Sequence, residues 1–437
     1  MKKSLKSDVF IRPIKEDDLT DCVRDCFDQF GGVGSICKGN VFIKFNGTGP
    51  DPDIMTDREV ILSTVKVVKE TINPENIYVM ENSAVGFCTR LVFKIEELGK
   101  RIEELGAKPL YLDEQESINI DFNGIAFDKP IPVPKILYEN LVEHKGENTY
   151  INVPILKSHV MCGVTICIKN SHGLVYDAEK IYNHHLINEK IVEITSVFKP
   201  DFNIVDATTV LNYGPGPIMD DSFIIPMGVL FSGKDPVAVD TVGSKLVGID
   251  DALHIEMAAE KGLGTNKFDE INVIPSKDLI NQYKIQLEHD LSKVPLKPHD
   301  SIKLFKGKER ACKTGCGFCM AGAYVRDKNL KFDPYAIIFG KGHDINEIDK
   351  HPGPFIVAGP CAVAELKDYF KARKKKGRVK VFYIDEHADL AKYLNSTIKA
   401  GKIKLDDMTA GLPFTVERWM ELMKVAYQNG GNFITTT

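Results

Sequence analysis

The chain has 437 residues, room for two or three domains at ~100–200 residues each. Hydrophobic residues make up 43% and charged residues 27%, a balance that builds a globular core without disulfide staples. Lys and Arg number 56 against 61 Asp and Glu, a formal net charge of −5 that argues against a dedicated nucleic-acid or membrane-surface binder.

Met1-Lys2-Lys3 is followed by Ser, Leu, Lys, Ser and Asp rather than an apolar run, and the apolar stretch Phe223 to Phe231 is broken by Pro226 and Gly228. Neither export nor membrane spanning is expected, so the reading is cytoplasmic. Ten cysteines in a reducing compartment ligate metals, react, or fill cores.

Residues 1–39 read as an N-terminal helical segment. Leu19, Cys22, Val23, Cys26, Phe27 and Phe30 fall on one face of a helix, where Cys22 and Cys26 are small core residues rather than ligands. From residue 40 to 280, β-rich runs alternate with helical patterns. Strands are predicted at Val41–Phe45, Ile77–Met80, Pro109–Leu112, Ile151–Leu156, Asn203–Asp206 and Val229–Ser232. Thr56-Asp57-Arg58-Glu59 is a capping box, and Asp235-Pro236 opens another helix. This alternation predicts an α/β fold with a doubly wound, largely parallel sheet. Residues 281–309 read as a linker. A smaller C-terminal α/β module with a four-cysteine metal site follows over 310–400, and 401–437 form a closing helix and tail.

The chemistry concentrates in two places. Cys312-x3-Cys316-x2-Cys319 puts three thiols on one loop, and Cys361 follows a predicted strand at a helix start. Four thiolates suit one 4Fe-4S cluster, with structural zinc as the alternative. The same spacing occurs in radical S-adenosylmethionine enzymes, but too little chain follows Cys319 for their partial barrel. The run Lys371 to Arg378 reads as cations at a helix C-terminus, and it offers a docking face for an acidic electron-carrier protein.

The second place is the carboxyl edge of the main sheet, where doubly wound folds bind ligands. Lys157 and His159 follow the strand from Ile151, and Lys169, Asn170 and His185 come soon after. Lys44 and Asn46 stand at a comparable strand exit, Asp206 ends another strand, and Asp240 lies in the helix opened by Asp235. Lys and Asn hold anionic oxygens, while His is an acid, a base or a metal ligand. Lys157, His159 and Lys169 are therefore the catalytic candidates; Lys44, Asn46, Asn170, His185, Asp206 and Asp240 are substrate-binding candidates. The turn Gly214-Pro215-Gly216-Pro217 is a further candidate anion cradle. Neither G-x-G-x-x-G nor a Walker loop is present.

Across about residues 40–265 the chain resembles the domain-of-unknown-function family 362, iron–sulfur proteins without a settled reaction. The resemblance rests on Ile43-Lys44-Phe45-Asn46, Asn152 to His159, Lys169-Asn170-x2-Gly173, the Gly214–Pro217 turn, Asp235 to Asp240, and Gly262-Leu263-Gly264. It implies a cluster and an α/β core. The ferredoxin-type tail of many relatives is missing, so at most one cluster is expected. His159, Gly163, Lys169 and His185 are also spaced similarly to the amino-terminal part of lactate racemases, without that family's His-Arg element. There the Lys carries a nickel-pincer cofactor and the last His ligates nickel.

These readings converge on an iron–sulfur redox enzyme acting on a small anionic, carboxylate-bearing substrate. Two other classes stand beside it: a non-enzymatic ligand- or partner-binding protein with a structural metal, and racemase-like metal-dependent proton or hydride transfer.

Overall fold

The computed structural model describes residues 7–15, 18–49, 51–216, 218–309, 322–327, 329–377, 379–386, 389–404 and 415–434. The main sheet collects β1 (Ser7–Pro13), β2 (Val41–Phe45), β3 (Ile77–Glu81) and β4 (Lys108–Tyr111) from the first quarter of the chain. A separate hairpin, β5 (Ser117–Ile120) and β6 (Ile131–Pro134), interrupts before β7 (Thr149–Val153), β8 (Ile155–His159) and β9 (Gly163–Thr165). The long strands β10 (Phe202–Leu211) and β11 (Ile224–Gly233) and the short β12 (Ile271–Ile274) complete it.

The strand order is β12-β1-β11-β10-β7-β2-β3-β4, with β8 continuing beside β10 and β9 folded back on β8. Only β11 and β9 run against the rest. Every residue of β2 and β7 is buried, as expected for central parallel strands covered on both faces. The chain runs from β2 outward to β3 and β4, then returns to place β7 on the other side of β2. The β2–β7 boundary is thus a topological switch point, and the carboxyl ends of these two strands open the crevice where such folds bind ligands.

A second sheet, β13 (Ile302–Lys306), β14 (Tyr335–Phe339), β15 (Phe355–Ala358) and β16 (Val381–Ile384), is entirely parallel and in sequence order. One apolar cluster runs from Val205 and Phe231 of the main sheet to Ile337 and Ile356 of the second. No helix among the described residues is long and apolar enough to cross a membrane.

Two expected divisions change. The N-terminal segment is not only helical: β1 inserts between β11 and β12, burying Val9 and Ile11 on alternate positions, before the helix Leu19–Asp28. The linker is shorter than 281–309, because β13 already belongs to the second sheet. The closing helix, Val416–Gln428, is capped by Thr415 and packs Trp419 on Phe87 of the first domain, with ring centroids 5.8 Å apart. Cys22 and Cys26 are fully buried beside Val23 and Phe27, as a core stripe requires.

Candidate anion site at the switch point

Lys44 sits in the middle of a fully buried strand, which no lysine tolerates without partners. Its ammonium donates to Glu81 Oε1 at 2.8 Å, to the Phe45 carbonyl at 3.0 Å and to Asn170 Oδ1 at 3.2 Å. Glu81 closes β3 and also accepts N–H groups from Gly47 and Asn82. A Cβ on Gly173 would stand 2.4 Å from Glu81 Oε1 and 2.8 Å from Lys44 Nζ, so only glycine lets the backbone close over this ion pair.

An asparagine chain ties the strand ends together. Asn203 Oδ1 accepts from Asn152, Asn152 Oδ1 accepts from Asn170, and Asn170 Oδ1 accepts from Asn46. Asn46 Oδ1 in turn accepts from Lys157 Nζ at 3.1 Å. Lys157 directs its other protons to Thr48 Oγ1 at 3.1 Å and the Ile54 carbonyl at 2.6 Å. All three acceptors are neutral, and burial followed by repulsion from Lys169 pushes this ammonium down to about 7.

Lys169 differs from every other lysine of the cluster. It is half-buried on the short helix Cys167–Asn170, and among the described residues its ammonium has neither a hydrogen bond nor an ion pair. Burial lowers its pKa, as do Lys44 and Lys180. Lys180 is satisfied by Asp177 at 3.2 Å and by the carbonyls of Asn82 and Ser83. Lys190 caps three carbonyls, those of Glu179, Lys180 and Tyr182.

His159 ends β8. Its Nδ1 accepts the Met161 N–H at 3.1 Å, so the neutral ring carries its proton on Nε2. Burial and the field of Lys169 and Lys157 hold its pKa well below the usual histidine value. With Nδ1 taken, the ring nitrogen left for a ligand is Nε2, as an N–H donor. His254, on the helix Leu253–Glu260, is fully buried with neither ring nitrogen partnered, and burial plus Lys169 push it down to about 3. Gly163, at φ +83°, lets the β8–β9 hairpin approach that helix; a Cβ there would meet Ala252 Cα at 3.3 Å. The His172 and His184 rings lie tilted to each other with centroids 5.6 Å apart, and His184 Nδ1 donates to the Lys180 carbonyl.

Of the sequence candidates, Lys44, Asn46, Lys157 and Asn170 form one hydrogen-bonded cluster, and His159 and Lys169 lie within electrostatic reach of it. Three others take different places. Asp206 accepts the Asp57 N–H at 2.7 Å and both donors of Thr208, so it anchors the start of the helix Arg58–Val68; burial pushes it up to about 6. Asp240 accepts the N–H groups of Cys167 at 2.8 Å and Ile168 at 3.0 Å and caps the helix that carries Lys169. His185 is exposed on the turn His184–Leu186. Glu81 and His254 were missed. A carboxylate ending an otherwise apolar strand was the available signal for Glu81; a lone histidine in a helical pattern has none. A cavity of about 490 Å³ lies elsewhere, lined by Ser244, Asp250, Ala252, Leu253 and Phe268 among others.

Cys312, Cys316 and Cys319 lie outside the described residues. Cys361 follows β15 and Gly359 in the first turn of the helix Pro360–Lys376, with a half-buried thiol free of any disulfide. Among the described residues no group of three or more His, Cys, Asp or Glu is placed to hold a metal ion.

The fold is that of an α/β protein with a cluster of buried lysines at the switch point of a mostly parallel sheet. Residues 41–245 match the family described as Domain of unknown function (DUF362). The chain is 32% identical over 260 residues to the thylakoid-associated protein sll1697 of Synechocystis, covering 57% of this chain and 76% of that protein. The chain belongs to this family. Among solved structures it is similar to the lactate racemase apoprotein of Thermoanaerobacterium thermosaccharolyticum. The TM-score is 0.34 at 12% identity, over 78% of this chain and 70% of that one.

Proposed function

We propose that the chain is an enzyme that binds a small anionic, carboxylate-bearing substrate at the switch point and exchanges electrons with it through one 4Fe-4S cluster. The observation that carries the substrate half is the unpartnered ammonium of Lys169 within electrostatic reach of His159, in a cluster whose carboxylates, Glu81 and Asp177, already serve Lys44 and Lys180. Lys169 would hold the anion directly, His159 Nε2–H would donate to a second oxygen, and Lys157 would contribute its field. Negative charge developing on a substrate oxygen is stabilised by such fixed donors in a water-poor site.

Cys312, Cys316, Cys319 and Cys361 are the proposed ligands, with zinc as the alternative metal. Cys361 suits the role: its thiol is free and reachable, and the helix start places backbone N–H groups and a partial positive charge beside a thiolate. A bound cluster would supply or accept single electrons, and an electron-carrier protein is the partner this implies. Anaerobically purified protein should contain iron and acid-labile sulfide, and Cys361→Ser should lower both while Cys22→Ser leaves them unchanged. One zinc per chain without sulfide would sink the redox reading. Turnover found in a screen of small carboxylates with an artificial electron acceptor should be lost in Lys169→Met while the iron content persists.

A further inference from the structure

We infer that the ligand of this site carries two negative charges, as a dicarboxylate or a phosphate monoester does, rather than the one of a simple monocarboxylate. The inference rests on the substrate site proposed above and specifies its charge.

The argument starts from which cations have counter-charges. Four ammonium groups, those of Lys44, Lys157, Lys169 and Lys180, surround the switch point. Glu81 pairs with Lys44 at 2.8 Å and Asp177 with Lys180 at 3.2 Å. Among the described residues nothing charged pairs with the other two. Lys157 is fully buried and touches only neutral oxygens, and Lys169 touches none.

The remaining groups in reach do not alter that balance. Lys157 feels Lys169, Glu81 and Asp51; Asp51 shares Arg326 with Asp53 and Asp221 and makes no ion pair with Lys157. Lys169 feels Cys162, Lys44, Lys180 and Glu81; the four imidazoles of His159, His172, His184 and His254 feel it in turn, as does Lys190, which stands farther out with Glu179 and Glu193 as its own carboxylates. Burial raises Cys162 to about 12 and lowers all four histidines, so none of these five supplies charge at neutral pH.

A buried cation and a half-buried one, both without counter-charges, are costly to hold charged side by side, and the site relieves this by releasing a proton. A monoanion compensates Lys169 alone. A dianion compensates both lysines and lets Lys157 regain its proton, so binding takes a proton up. The donors left for its oxygens are the Lys169 ammonium and His159 Nε2–H.

Isothermal titration at about pH 8 and constant ionic strength, in buffers of different ionisation enthalpy, tests this with malonate, inorganic phosphate and acetate. Malonate or phosphate should bind at least about tenfold tighter than acetate, about 1.4 kcal/mol. Malonate binding should be accompanied by net proton uptake that fades towards pH 6. Tighter malonate marks a dicarboxylate, and tighter phosphate a phosphoryl group; either supports the dianion. Acetate binding as tightly as malonate, or dianion binding without proton uptake, overturns the inference and leaves the substrate site standing. No binding by any of the three overturns both. Lys157→Met should bring malonate down to the acetate level and abolish uptake. Because that variant removes three hydrogen bonds of a buried ammonium, the proton count on the unaltered protein decides independently of whether it folds.

Discussion

At the scale of single residues, the neighbour of a side chain decides its chemistry more than its type does. His159 shows this most plainly. Its Nδ1 is taken by a backbone N–H, and its pKa is depressed first by burial and then by Lys169 and Lys157. Nitrogen-15 spectra of the imidazole should therefore show an unprotonated Nδ1 and a protonated Nε2, without change from pH 8 down to 5.5. A midpoint near 6.5 would contradict the assignment of His159 as a donor. A second expectation concerns Lys157 and Lys190, which burial brings to about 7 from an ordinary 10.5. Between those values the unfolded chain binds more protons than the native one, so stability rises with pH across the window and is lost as pH falls through 7. Lys157→Met should flatten the rise of the thermal midpoint between pH 7 and 10; an unchanged slope would place the titration on another group. Lys157, His159 and Lys169 were legible in the sequence because polar residues follow an apolar strand at a known ligand edge. Their partners were not, because Glu81 and His254 come from distant segments that only the tertiary fold brings near.

At the scale of elements, the site depends on a four-residue helix, Cys167–Asn170, too short to be stable alone. It persists because Asp240 accepts two of its first N–H groups from inside a neighbouring helix. Asp240 was expected to face the substrate, and the correction has a simple cause. Sequence position shows a carboxylate near the ligand edge, but not that buried backbone donors will claim it. Burial also pushes that carboxyl up to about 7. Asp240→Ala leaves two buried N–H groups unsatisfied and should cost about 2–4 kcal/mol, at ~1–2 for each. Asp240→Asn keeps one acceptor and should lose about half as much. Denaturant unfolding measures both losses, and a loss under about 0.5 kcal/mol in Asp240→Ala, as for an exposed position, would remove Asp240 from this role. The parallel strands β2, β3 and β7 were legible as apolar runs between helices. β1 was not, although Val9 and Ile11 alternate with polar neighbours, because one short strand without a following crossover carries no α/β pattern. The ladder with β11 and β12, both far away in sequence, defines it.

At the scale of the whole molecule, the question is how the cysteine segment and the anion site are connected. Arg326 stands seven residues beyond Cys319. Its guanidinium reaches Asp221 at 2.6 Å and both Asp51 and Asp53 at 3.4 Å. Asp51 caps the turn Pro52–Ile54, Asp53 lies within it, and the Ile54 carbonyl takes a proton of Lys157 at 2.6 Å. The exit of the cysteine segment is thus held on the same turn that orients a site lysine. Each exposed pair contributes only ~0.2–1 kcal/mol, but three carboxylates around one cation act as a network. The sequence showed an arginine among polar residues, and nothing in the spacing of Asp51, Asp53, Asp221 and Arg326 marks them as neighbours. Removing the cation should free Asp51, raise the field at Lys157, and loosen both segments while the two sheets stay folded. Arg326→Ala should therefore speed amide hydrogen exchange at 51–57 and 322–327, and lower global stability by no more than about 2 kcal/mol. High salt should reproduce part of that acceleration in the unaltered protein, because the pairs are partly exposed and screened. The Lys157 midpoint should rise in Arg326→Ala, the sign expected when a nearby carboxylate loses its counter-charge. Exchange confined to 322–327, with 51–57 and the Lys157 midpoint unmoved, would show that the two regions share a contact without being coupled.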